Sequence, residues 1–594
     1  MKLFRSRAGP QSSRRAREHF HLFDRKTFAN YDSLGKWSLA EAENSEEGAA
    51  RAILGLLREK PRLRRRFPRA ISAGWSGEFG EWLRAESARL GLAEPALRNI
   101  ESVFRESPGQ KVRELFLHSP ELRARFPLGL LPVGQGKFVR WLLRERREKH
   151  GLREGEILWF LHETAETVPQ MIQLSWLINP GWQEAHPFGL TNAGEADFRR
   201  WLRLEFDLRL AKTDTLPLLP EKTQSLLRSN ERNGGINLLS HFCYPSGIQQ
   251  AAANIQGALE AVGWQVSARD VPTSPRTDIE EREQFLGLEI FPVTITNVAP
   301  APHFRDAYER SGLTRRPGLH RIAYWAWELD QIPAEWVELA PLLDEIWAPT
   351  AFVADAFRKR MPLPVHEILP GLELGEITPV TRSSLGIPEK NYVFLFMFDM
   401  SSQMERKNPL AVIRAFAAAF PKQHDVNLVI KVTRGATKPA AFALLQTEAQ
   451  AAGVILIDGV LPHAQAYGIL QMCDCFVSLH RSEGFGLCLA EAMLLGKPVI
   501  ATKYSGNLAF MHSGNSLLVD YVLKEIFEDM PTYKRGNHWA EPSLENAVAQ
   551  LRYCYHNRVA AAALGAIAET EIREKFSLRA AGERMIARLQ AISA

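Results

Sequence analysis

The sequence contains no apolar run long enough to cross a lipid bilayer, and it has few cysteines. A membrane helix needs an uninterrupted apolar stretch of about 18 residues, and none occurs among the 594 residues. The basic start, MKLFRSRAGPQSSRRAREHF, has no apolar core of the kind that a secretory signal requires. Five cysteines, an odd number in a long chain, do not suit a disulfide framework. These absences predict a cytoplasmic protein with at most peripheral contact with the inner face of the cell membrane.

Several motifs that would define other classes of enzyme are also missing. There is no G-x-x-x-x-G-K-[ST] phosphate loop and no G-x-G-x-x-G fingerprint, which argues against nucleotide hydrolysis and hydride transfer. Cys473 and Cys475 form a C-x-C pair, but no second pair or histidine cluster completes a metal site, and no Asp-x-Asp motif stands out. A net charge of +5 is too small for this length to indicate nucleic-acid binding. We therefore expect no metal, no cofactor and no nucleic-acid partner.

What the chain does have, in its first third, is an internal repeat. Its three copies are KPRLRRRFPRAISAGWSGEFGEWLRAE, SPELRARFPLGLLPVGQGKFVRWLLRE and NPGWQEAHPFGLTNAGEADFRRWLRLE, spaced by 59 and then 60 residues. A phenylalanine precedes a tryptophan by three positions in each copy, so both rings lie on one helix face. The aligned aromatic pairs are Phe79 and Trp82, Phe138 and Trp141, and Phe198 and Trp201. One copy cannot bury its apolar face alone, which predicts a stacked α-helical array with the pairs in its core. We expect this array to recruit a protein partner or the carrier of an acceptor.

From Gly235 onward, short apolar runs alternate with helical patterns. The alternation starts with GINLLSHFCYPSGIQQ and starts again at NYVFLFMFDM, and such alternation indicates parallel sheets with crossover helices. We predict an α/β fold in which two Rossmann-like domains face each other across a ligand-binding cleft, preceded by the α-helical repeat domain. The predicted divisions are a basic tail over 1–46, the repeat module over 47–230, the first Rossmann-like domain over 231–378, the second over 379–572 and a crossing C-terminal helix over 573–594.

The most informative stretch is SEGFGLCLAEAMLLGKPVIATKYSGN, which runs from Ser482 to Asn507. Gly484 and Gly486 lie at a predicted strand-to-helix turn, where bare main-chain amides and the positive end of a helix can meet an anion. Glu483 stands at the mouth of this turn, and Glu491 follows in the helix. A carboxylate accepts two hydroxyl hydrogen bonds, which suits a ribose diol or a sugar. The element thus combines amides for phosphate with acids for hydroxyls.

This stretch resembles the E-x7-E signature of retaining glycosyltransferases with the GT-B fold, in the large family numbered four. The resemblance implies that Glu483 lies near the hydroxyls of the donor sugar and that Glu491 holds the ribose. It further implies that Gly484 and the amides of Phe485 and Gly486 approach the donor.

Basic side chains in SSQMERKNPLAVIRAF match those that the family uses to neutralise the donor diphosphate. Lys407 matches the family's lysine, although Asn408 follows it where most members have glycine. The family's arginine is replaced by Ser402, and Arg406 is the predicted substitute because a guanidinium binds phosphate oxygens well. The resemblance therefore makes Glu483, Lys407 and Arg406 the expected catalytic residues, with Lys431 as a weaker candidate for donor binding.

The resemblance also places residues from four other segments near the substrates. Gly247, His480, Ser505 and Gly506 are expected at the donor. On the acceptor side, HRIAYWAWELDQIPAEW resembles a subgroup that acts on bacterial surface polysaccharides. There the aromatic and acidic candidates for stacking on a sugar and orienting a hydroxyl are Trp325, Trp327 and Glu328.

The resemblance implies a metal-independent retaining hexosyltransferase that moves a sugar from a nucleotide sugar to a glycan, lipid-linked or protein acceptor. Its setting would be the synthesis of bacterial cell-surface polysaccharide. One alternative is a non-catalytic scaffold whose degenerate transferase domain only senses nucleotide or glycan, as the missing arginine at Ser402 allows. A second alternative keeps the fold but makes the enzyme a phosphorylase or an epimerase.

Overall fold

The structure is a computed structural model. It describes residues 39–593 except for 144–147, 207, 209, 211–213, 230–233, 273–281, 301–303, 305–306, 309–310 and 314–317. The chain divides into two compact units. The first ends at Arg228 and takes in a further segment that starts at Tyr308, and the second begins at Ser229. The sequence-based boundary near 230 lies beside this division.

The first unit is helical wherever it is described as regular structure. Most of the predicted basic tail lies outside the described residues, but its last part does not, because Leu39–Glu43 form a 3₁₀ helix with Ala42 buried. Ser45 then caps the next helix, since its Oγ accepts the N–H of Gly48 at 3.0 Å. In chain order the α-helices are α1 (Glu46–Glu59), α2 (Pro61–Arg66), α3 (Glu78–Ala85), α4 (Ser87–Leu90), α5 (Glu94–Glu106), α6 (Gly109–His118), α7 (Pro120–Arg125), α8 (Pro132–Trp141), α9 (Glu154–Glu166), α10 (Val168–Ile178), α11 (Pro180–Ala185), α12 (Glu195–Phe206) and α13 (Glu221–Arg228).

The three repeated segments have the same local structure. Each begins with a proline at the start of a six-residue helix (α2, α7 or α11), and a longer helix (α3, α8 or α12) then carries the aromatic pair. The phenylalanines of the pairs, Phe79, Phe138 and Phe198, are fully buried. A third ring joins each pair: Phe67 in the first copy, Phe126 in the second and His186 in the third. The phenylalanines of the pairs are therefore core residues, while the rings of Trp82 and Trp201 lie at the edge of the core and stay partly exposed.

The first half of the second unit is a parallel α/β sheet. Its strands are β1 (Gly235–Ser240), β2 (Gln265–Asp270), β3 (Val293–Asn297), β4 (His320–Tyr324), β5 (Glu345–Ala348) and β6 (Val365–Glu367), in the spatial order β2-β1-β3-β4-β5-β6. Helices α14 (Gly247–Glu260) and α15 (Ala351–Arg358) connect them. Strands β1 and β3 are buried along their whole length, as expected for central strands of a parallel sheet that is covered on both faces.

The second half repeats the design with the strand order of a classical Rossmann sheet. Its strands are β7 (Tyr392–Asp399), β8 (Val426–Thr433), β9 (Ile455–Asp458), β10 (Cys475–Ser478), β11 (Val499–Thr502) and β12 (Leu517–Val519), in the order β12-β11-β10-β7-β8-β9. The connecting helices are α16 (Met404–Lys407), α17 (Pro409–Ala419), α18 (Pro439–Ala451), α19 (His463–Met472) and α20 (Leu487–Leu494). A hairpin of β13 (Tyr521–Glu525) and β14 (His538–Pro542) precedes α21 (Leu544–His556) and α22 (Arg558–Lys575).

The last helix, α23 (Leu578–Ser593), packs on the first half. Its residues Ala581, Met585 and Leu589 are buried in the core that surrounds β1. The helix approaches α14 closely at Gly582, where a Cβ atom would lie 2.1 Å from the main-chain oxygen of Ala258. This is the position that the sequence analysis gives to a returning C-terminal helix.

Two Rossmann-like halves after a helical region confirm the predicted GT-B fold class. Strand order reverses between β1 and β3 in one sheet and between β7 and β10 in the other. Ligands of such sheets bind beyond the carboxyl ends of the strands at these reversals. In the described part of the chain, no helix has the length and apolarity that crossing a membrane would require.

Candidate functional site

The candidate site is centred where the chain leaves the neighbouring strands β7 and β10. Helix α16 follows β7 and carries Arg406 and Lys407, while the chain after β10 carries Glu483. The two segments are joined by a main-chain hydrogen bond from the N–H of Arg481 to the carbonyl oxygen of Arg406 at 2.7 Å. Residues that are 76 positions apart in sequence are therefore brought to one edge of the sheet.

Glu483 forms ion pairs with both basic residues of α16. Its Oε1 lies 2.5 Å from Nζ of Lys407, and its Oε2 lies 3.1 Å from Nη1 of Arg406. Burial alone would raise the pKa of Glu483, but Lys407 and then Arg406 outweigh that effect and lower the pKa to about 2. The carboxylate is therefore ionised at every physiological pH. The predicted catalytic residues Glu483, Lys407 and Arg406 form one charged cluster.

The two cations differ in how far they reach solvent. The side chain of Arg406 is 4% exposed, against 20% for Lys407. Arg406 donates to the main-chain oxygen of Ser482 at 2.8 Å, and its Nη2 lies 3.5 Å from Oε1 of Glu328. Burial opposes its charge, but Tyr533, Glu483 and Glu328 together raise the pKa of Arg406 above its ordinary value. The geometry makes Arg406 the buried anchor of Glu483 and leaves Lys407 as the more exposed of the two cations.

Asn408 explains a departure from the family pattern. It ends α16 with a φ of +55°, in the left-handed region where glycine is usual and asparagine is the best-tolerated alternative. Its Nδ2 donates to the main-chain oxygen of Leu479 at 2.9 Å. Asparagine therefore serves the backbone conformation that glycine would serve and ties the helix to the end of β10.

Glycine is required at two positions here, Gly486 in the turn before α20 and Gly506 in the loop after β11. Gly486 has a φ of +93° and stands immediately before α20. A Cβ atom on Gly506 would lie 2.0 Å from the main-chain oxygen of Gly484. Gly506 also donates its N–H to the main-chain oxygen of Glu483 at 2.9 Å. These contacts hold the loop after β11 against the turn that carries Glu483.

Ser505 has a strained backbone at this junction. Its φ of +78° and ψ of −149° lie in a region almost restricted to glycine, at a cost of about 1–3 kcal/mol. Its Oγ accepts the main-chain N–H of Glu483 at 2.8 Å, so the strained residue fixes the catalytic candidate.

Comparing Ser505→Gly with Ser505→Ala separates strain from hydrogen bonding. Both variants lose the hydrogen bond to Glu483, but only glycine relieves the backbone. Relief of the strain stabilises the glycine variant, and the greater freedom of glycine in the unfolded state offsets part of that gain. We therefore expect urea unfolding to give the glycine variant a free energy of unfolding about 1 kcal/mol higher than that of the alanine variant. Equal free energies of unfolding would contradict stored strain at this position.

Glu491 lies in a second polar group one turn into α20. The O–H of Tyr467 donates to its Oε1 at 3.3 Å, and Tyr467 also contacts Oε1 of Gln250, in the other half, at 3.4 Å. The enclosure of its carboxyl group raises the pKa of Glu491 to about 7, although hydrogen bonds from Tyr467 and Cys488 oppose the shift. Glu491 therefore changes its charge near neutral pH.

Cys488 connects this group to the charged cluster. Burial raises the pKa of its thiol to about 12, and the charges that act on it include Glu491, Lys407 and Lys431. Burial lowers the pKa of Lys431 itself, and its ammonium group donates to Thr433. The side chains at 407, 431, 483 and 491 thus share one electrostatic environment.

Two other predicted donor residues have structural partners. His480 is buried, with Nδ1 3.1 Å from Ser478 Oγ and Nε2 3.2 Å from Asn507 Oδ1, so both ring nitrogens are engaged. The ring of Phe485 packs on Phe510 at 5.0 Å, which leaves only its main chain for a ligand. Gly247 starts α14 and has open space where a Cβ atom would stand.

The sugar-stacking role expected for Trp325 and Trp327 is wrong, because neither ring has an open face. Trp325 is 1% exposed and packs between aromatic rings, and Trp327 is 3% exposed and lies against Trp336 and Tyr533. Glu328, by contrast, reaches Arg406 in the other half of the unit. Of the three acceptor candidates, only Glu328 lies at the charged cluster.

Sequence reasoning missed several residues that complete the site. Tyr533 packs beside Arg406, and Tyr467 and Gln250 bridge the halves at Glu491. Thr350 donates to the main-chain oxygen of Gly484 at 2.9 Å. None stands in a recognisable motif, because each reaches the site only through the tertiary fold. Within the described residues there is no group of three or more His, Cys, Asp or Glu side chains placed to hold a metal ion.

Comparison with known proteins found one matching family model, several curated relatives and a set of solved structures. A family model described as glycosyl transferases group 1 matches residues 378–524. The D-inositol 3-phosphate glycosyltransferase of Arthrobacter sp. (strain FB24) is 29% identical over 183 residues, 27% of this chain and 42% of that protein. A protein of the same name from Corynebacterium urealyticum is 27% identical over 167 residues, 26% of this chain and 38% of that protein. The chain spans about two fifths of the length of these curated relatives.

Solved structures also match the chain at low sequence identity. Anabaena HepE in complex with UDP and glucose is 15% identical, with a TM-score of 0.42 over 60% of this chain and 99% of that one. Sucrose-phosphate synthase from Thermosynechococcus elongatus is 16% identical, with a TM-score of 0.45 over 61% of this chain and all of that one (100%).

Proposed function

We propose that this protein is a retaining, metal-independent glycosyltransferase that uses a nucleotide-diphosphate sugar as donor. The observation that carries the proposal is the cluster of Lys407, Glu483 and Arg406 at the strand-order reversal of the second sheet. At this point Lys407 offers a cation that suits a diphosphate, and Glu483 offers a carboxylate that suits sugar hydroxyls. The main-chain amides of the adjacent glycine turn can also bind an anion. The match to glycosyl transferases group 1 covers the same segment.

The proposed reaction needs no nucleophilic side chain. An acceptor hydroxyl attacks the anomeric carbon on the face that the diphosphate leaves, so the acceptor O–C bond forms as the C–O bond to phosphate breaks. The bonding electron pair goes to the diphosphate, and a diphosphate oxygen takes the acceptor proton. The product keeps the anomeric configuration of the donor.

Lys407 stabilises the negative charge that grows on the leaving diphosphate. Fixed charges aimed at developing charge are the largest single contribution to many enzymatic accelerations. Lys407 is held by Glu483 at 2.5 Å, so the protein itself fixes the position of this cation. Lys407 and the amides of Phe485 and Gly486 then supply the positive charge that a divalent metal ion supplies in other transferases.

Glu483 positions the donor sugar, and Glu491 holds the ribose. Arg406 is too deeply buried to fork onto a phosphate, so its part is to fix Glu483. Glu328 approaches this cluster from the first half and is the residue we assign to orienting the acceptor hydroxyl. The acceptor is a glycan, a lipid-linked acceptor or a protein, and inositol 3-phosphate, which appears in the names of the relatives, is a further candidate to test.

The proposal is tested by offering UDP-, GDP- and dTDP-sugars singly and measuring nucleotide release and transfer by mass spectrometry. We expect release from one donor class, unchanged by EDTA, with retention of anomeric configuration in the transferred sugar. Loss of turnover on chelation would overturn metal independence, and an inverted product would overturn the retaining mechanism.

Three other results would replace the proposal. Binding of nucleoside diphosphate without turnover of any donor would identify a sensing scaffold. Formation of sugar 1-phosphate would indicate a phosphorylase, and conversion of the donor sugar without an acceptor would indicate an epimerase.

A further inference from the structure

The helical unit contains a hollow that the proposed chemistry does not use. It is open to solvent on one side and has a volume of about 480 Å³, within the range of small-molecule sites. Its apolar wall is formed by Leu63, Leu90 and the partly exposed ring of Trp82. Its polar lining consists of Lys60, Arg62, Arg89 and Glu86, three cations and one carboxylate. Arg89 pairs with Glu86 at 3.0 Å, which leaves an excess of positive charge at Lys60 and Arg62.

The repeat itself identifies which of these residues the fold requires. Trp82 and Glu86 recur in both other copies, as Trp141 and Trp201 and as Glu145 and Glu205. The cations do not recur. Lys60, Arg62 and Arg89 correspond to Ser119, Glu121 and Glu148 in the second copy and to Asn179, Gly181 and Leu208 in the third. Helices α7 and α11 form without them, so the repeat architecture does not account for the positive charge.

The cations also occupy positions that are unfavourable for helix α2. Ser119 caps α7 by accepting the N–H of Leu122 at 3.2 Å, whereas Lys60 gives α2 no side-chain cap. Glu121 complements the positive N-terminal end of α7, whereas Arg62 places a like charge at the same point of α2. The first copy thus gives up two local stabilising interactions and gains a cationic rim beside a tryptophan.

We infer that this hollow binds an anionic saccharide, with its phosphate or carboxylate on Lys60 and Arg62 and a sugar face on Trp82. Charge-assisted hydrogen bonds suit the acid group, and an indole ring suits the apolar face of a sugar. This inference rests on the proposed function, because the ligand class is that of a charged acceptor saccharide. The hollow then accounts for acceptor recruitment by the helical unit.

The test is isothermal titration calorimetry on the full chain with defined probes. Trigalacturonic acid carries carboxylates, glucose 6-phosphate carries a phosphate, maltotriose is neutral and hexaglutamate is an acidic peptide. We expect at least one of the two anionic saccharides to bind, and maltotriose to bind more weakly. Whichever anionic probe binds more tightly identifies the acid group.

The decisive variant takes its residues from the second copy: Lys60→Ser with Arg62→Glu. Because Ser119 and Glu121 already support the equivalent helix, this variant should melt no lower than the wild type. We expect its Kd for the anionic saccharide to rise about tenfold or more. Arg98→Glu, a charge reversal of an exposed residue outside the hollow, should leave the Kd unchanged.

Four results would overturn the inference. The first is that neither anionic saccharide binds, and the second is that the Lys60→Ser/Arg62→Glu variant binds with the same affinity as the wild type. The third is that Arg98→Glu weakens binding as much as the double variant does. The fourth is that hexaglutamate binds more tightly than both saccharides. Nucleotide release from the donor, without added acceptor, should be the same in the variant and the wild type. If the hollow does not bind an anionic saccharide, the wild type still turns over its donor. If the proposed function is wrong, the wild type shows no donor turnover.

Discussion

Replacing Glu483 with glutamine is expected to lower nucleotide release from the preferred donor about 10²–10³-fold, the range for loss of one preorganised electrostatic contact. Glutamine has nearly the same shape but no charge, so it cannot form the ion pair with Lys407 that the native carboxylate makes at 2.5 Å. The lysine loses its fixed position before the donor arrives. The measurement is nucleotide release at saturating donor and at low donor, which separates kcat from kcat/KM.

The same substitution is expected to destabilise the fold. Arg406 stays buried and keeps only Glu328, at 3.5 Å, as a carboxylate partner. Removing one member of a buried ion pair typically costs about 3–5 kcal/mol because the other charge remains desolvated. Urea unfolding measures this loss. The double variant Lys407→Met/Glu483→Gln removes one charge of each sign. It should recover part of the lost free energy of unfolding without recovering activity.

A matched control is Glu569→Gln. Glu569 also pairs with an arginine, Arg573, at 2.9 Å, but this pair is exposed on a helix surface. We expect its loss to change the free energy of unfolding by less than about 1 kcal/mol and to leave turnover unchanged. If Glu483→Gln behaves like Glu569→Gln in both measurements, the cluster is not the catalytic site.

The parts of the fold and site that could be predicted are those with local signals. The central strands β10 and β11 of the second half are short apolar runs because both faces of a parallel sheet are covered. Glycines flank Phe485 because Gly486 needs a positive φ. Since parallel strands deliver their carboxyl ends to one edge, Lys407 and Glu483 could be expected together from motif positions alone.

The parts that could not be predicted depend on long-range packing. Trp325 and Trp327 follow a strand, and nothing local reveals that rings from distant segments cover them. Tyr533 reaches Arg406 from the loop of the hairpin formed by β13 and β14. The burial of Arg406, which turns a predicted phosphate ligand into an anchor for Glu483, is likewise a property of three separate segments.

Ionisation of Glu491 is expected to make the free energy of unfolding of the protein depend on pH. Its pKa is about 7 in the folded chain against an ordinary value of 4.5. A raised pKa means that the folded state holds the proton more tightly than the unfolded state does. The stabilisation is therefore complete below about pH 4.5 and is lost as the pH rises through 7. The whole difference is at most about 3 kcal/mol.

Glu491→Gln replaces the carboxylic acid by a neutral group of the same shape, so it mimics the protonated form at every pH. We expect the variant to exceed the wild type in free energy of unfolding by only about 1 kcal/mol at pH 5, which is just above the ordinary pKa of 4.5, and by about 3 kcal/mol at pH 8. Urea unfolding at both values measures this. Other groups that titrate in this range, such as Glu166 with its pKa near 7, are common to both proteins and cancel in the difference.

Glu483→Gln is the control for this pH dependence. Because the pKa of Glu483 is about 2, its carboxylate stays ionised from pH 5 to pH 8, and the stability loss of its variant should be the same at both. The two glutamates of one short motif are therefore expected to give opposite results. Replacing the first destabilises by the same amount at every pH in this range, and replacing the second stabilises by an amount that grows as the pH rises from 5 to 8. The contrary result is a difference in free energy of unfolding between Glu491→Gln and the wild type that stays constant from pH 5 to pH 8. It would mean that Glu491 is ionised throughout and that its enclosure by Tyr467 and Cys488 does not control its charge.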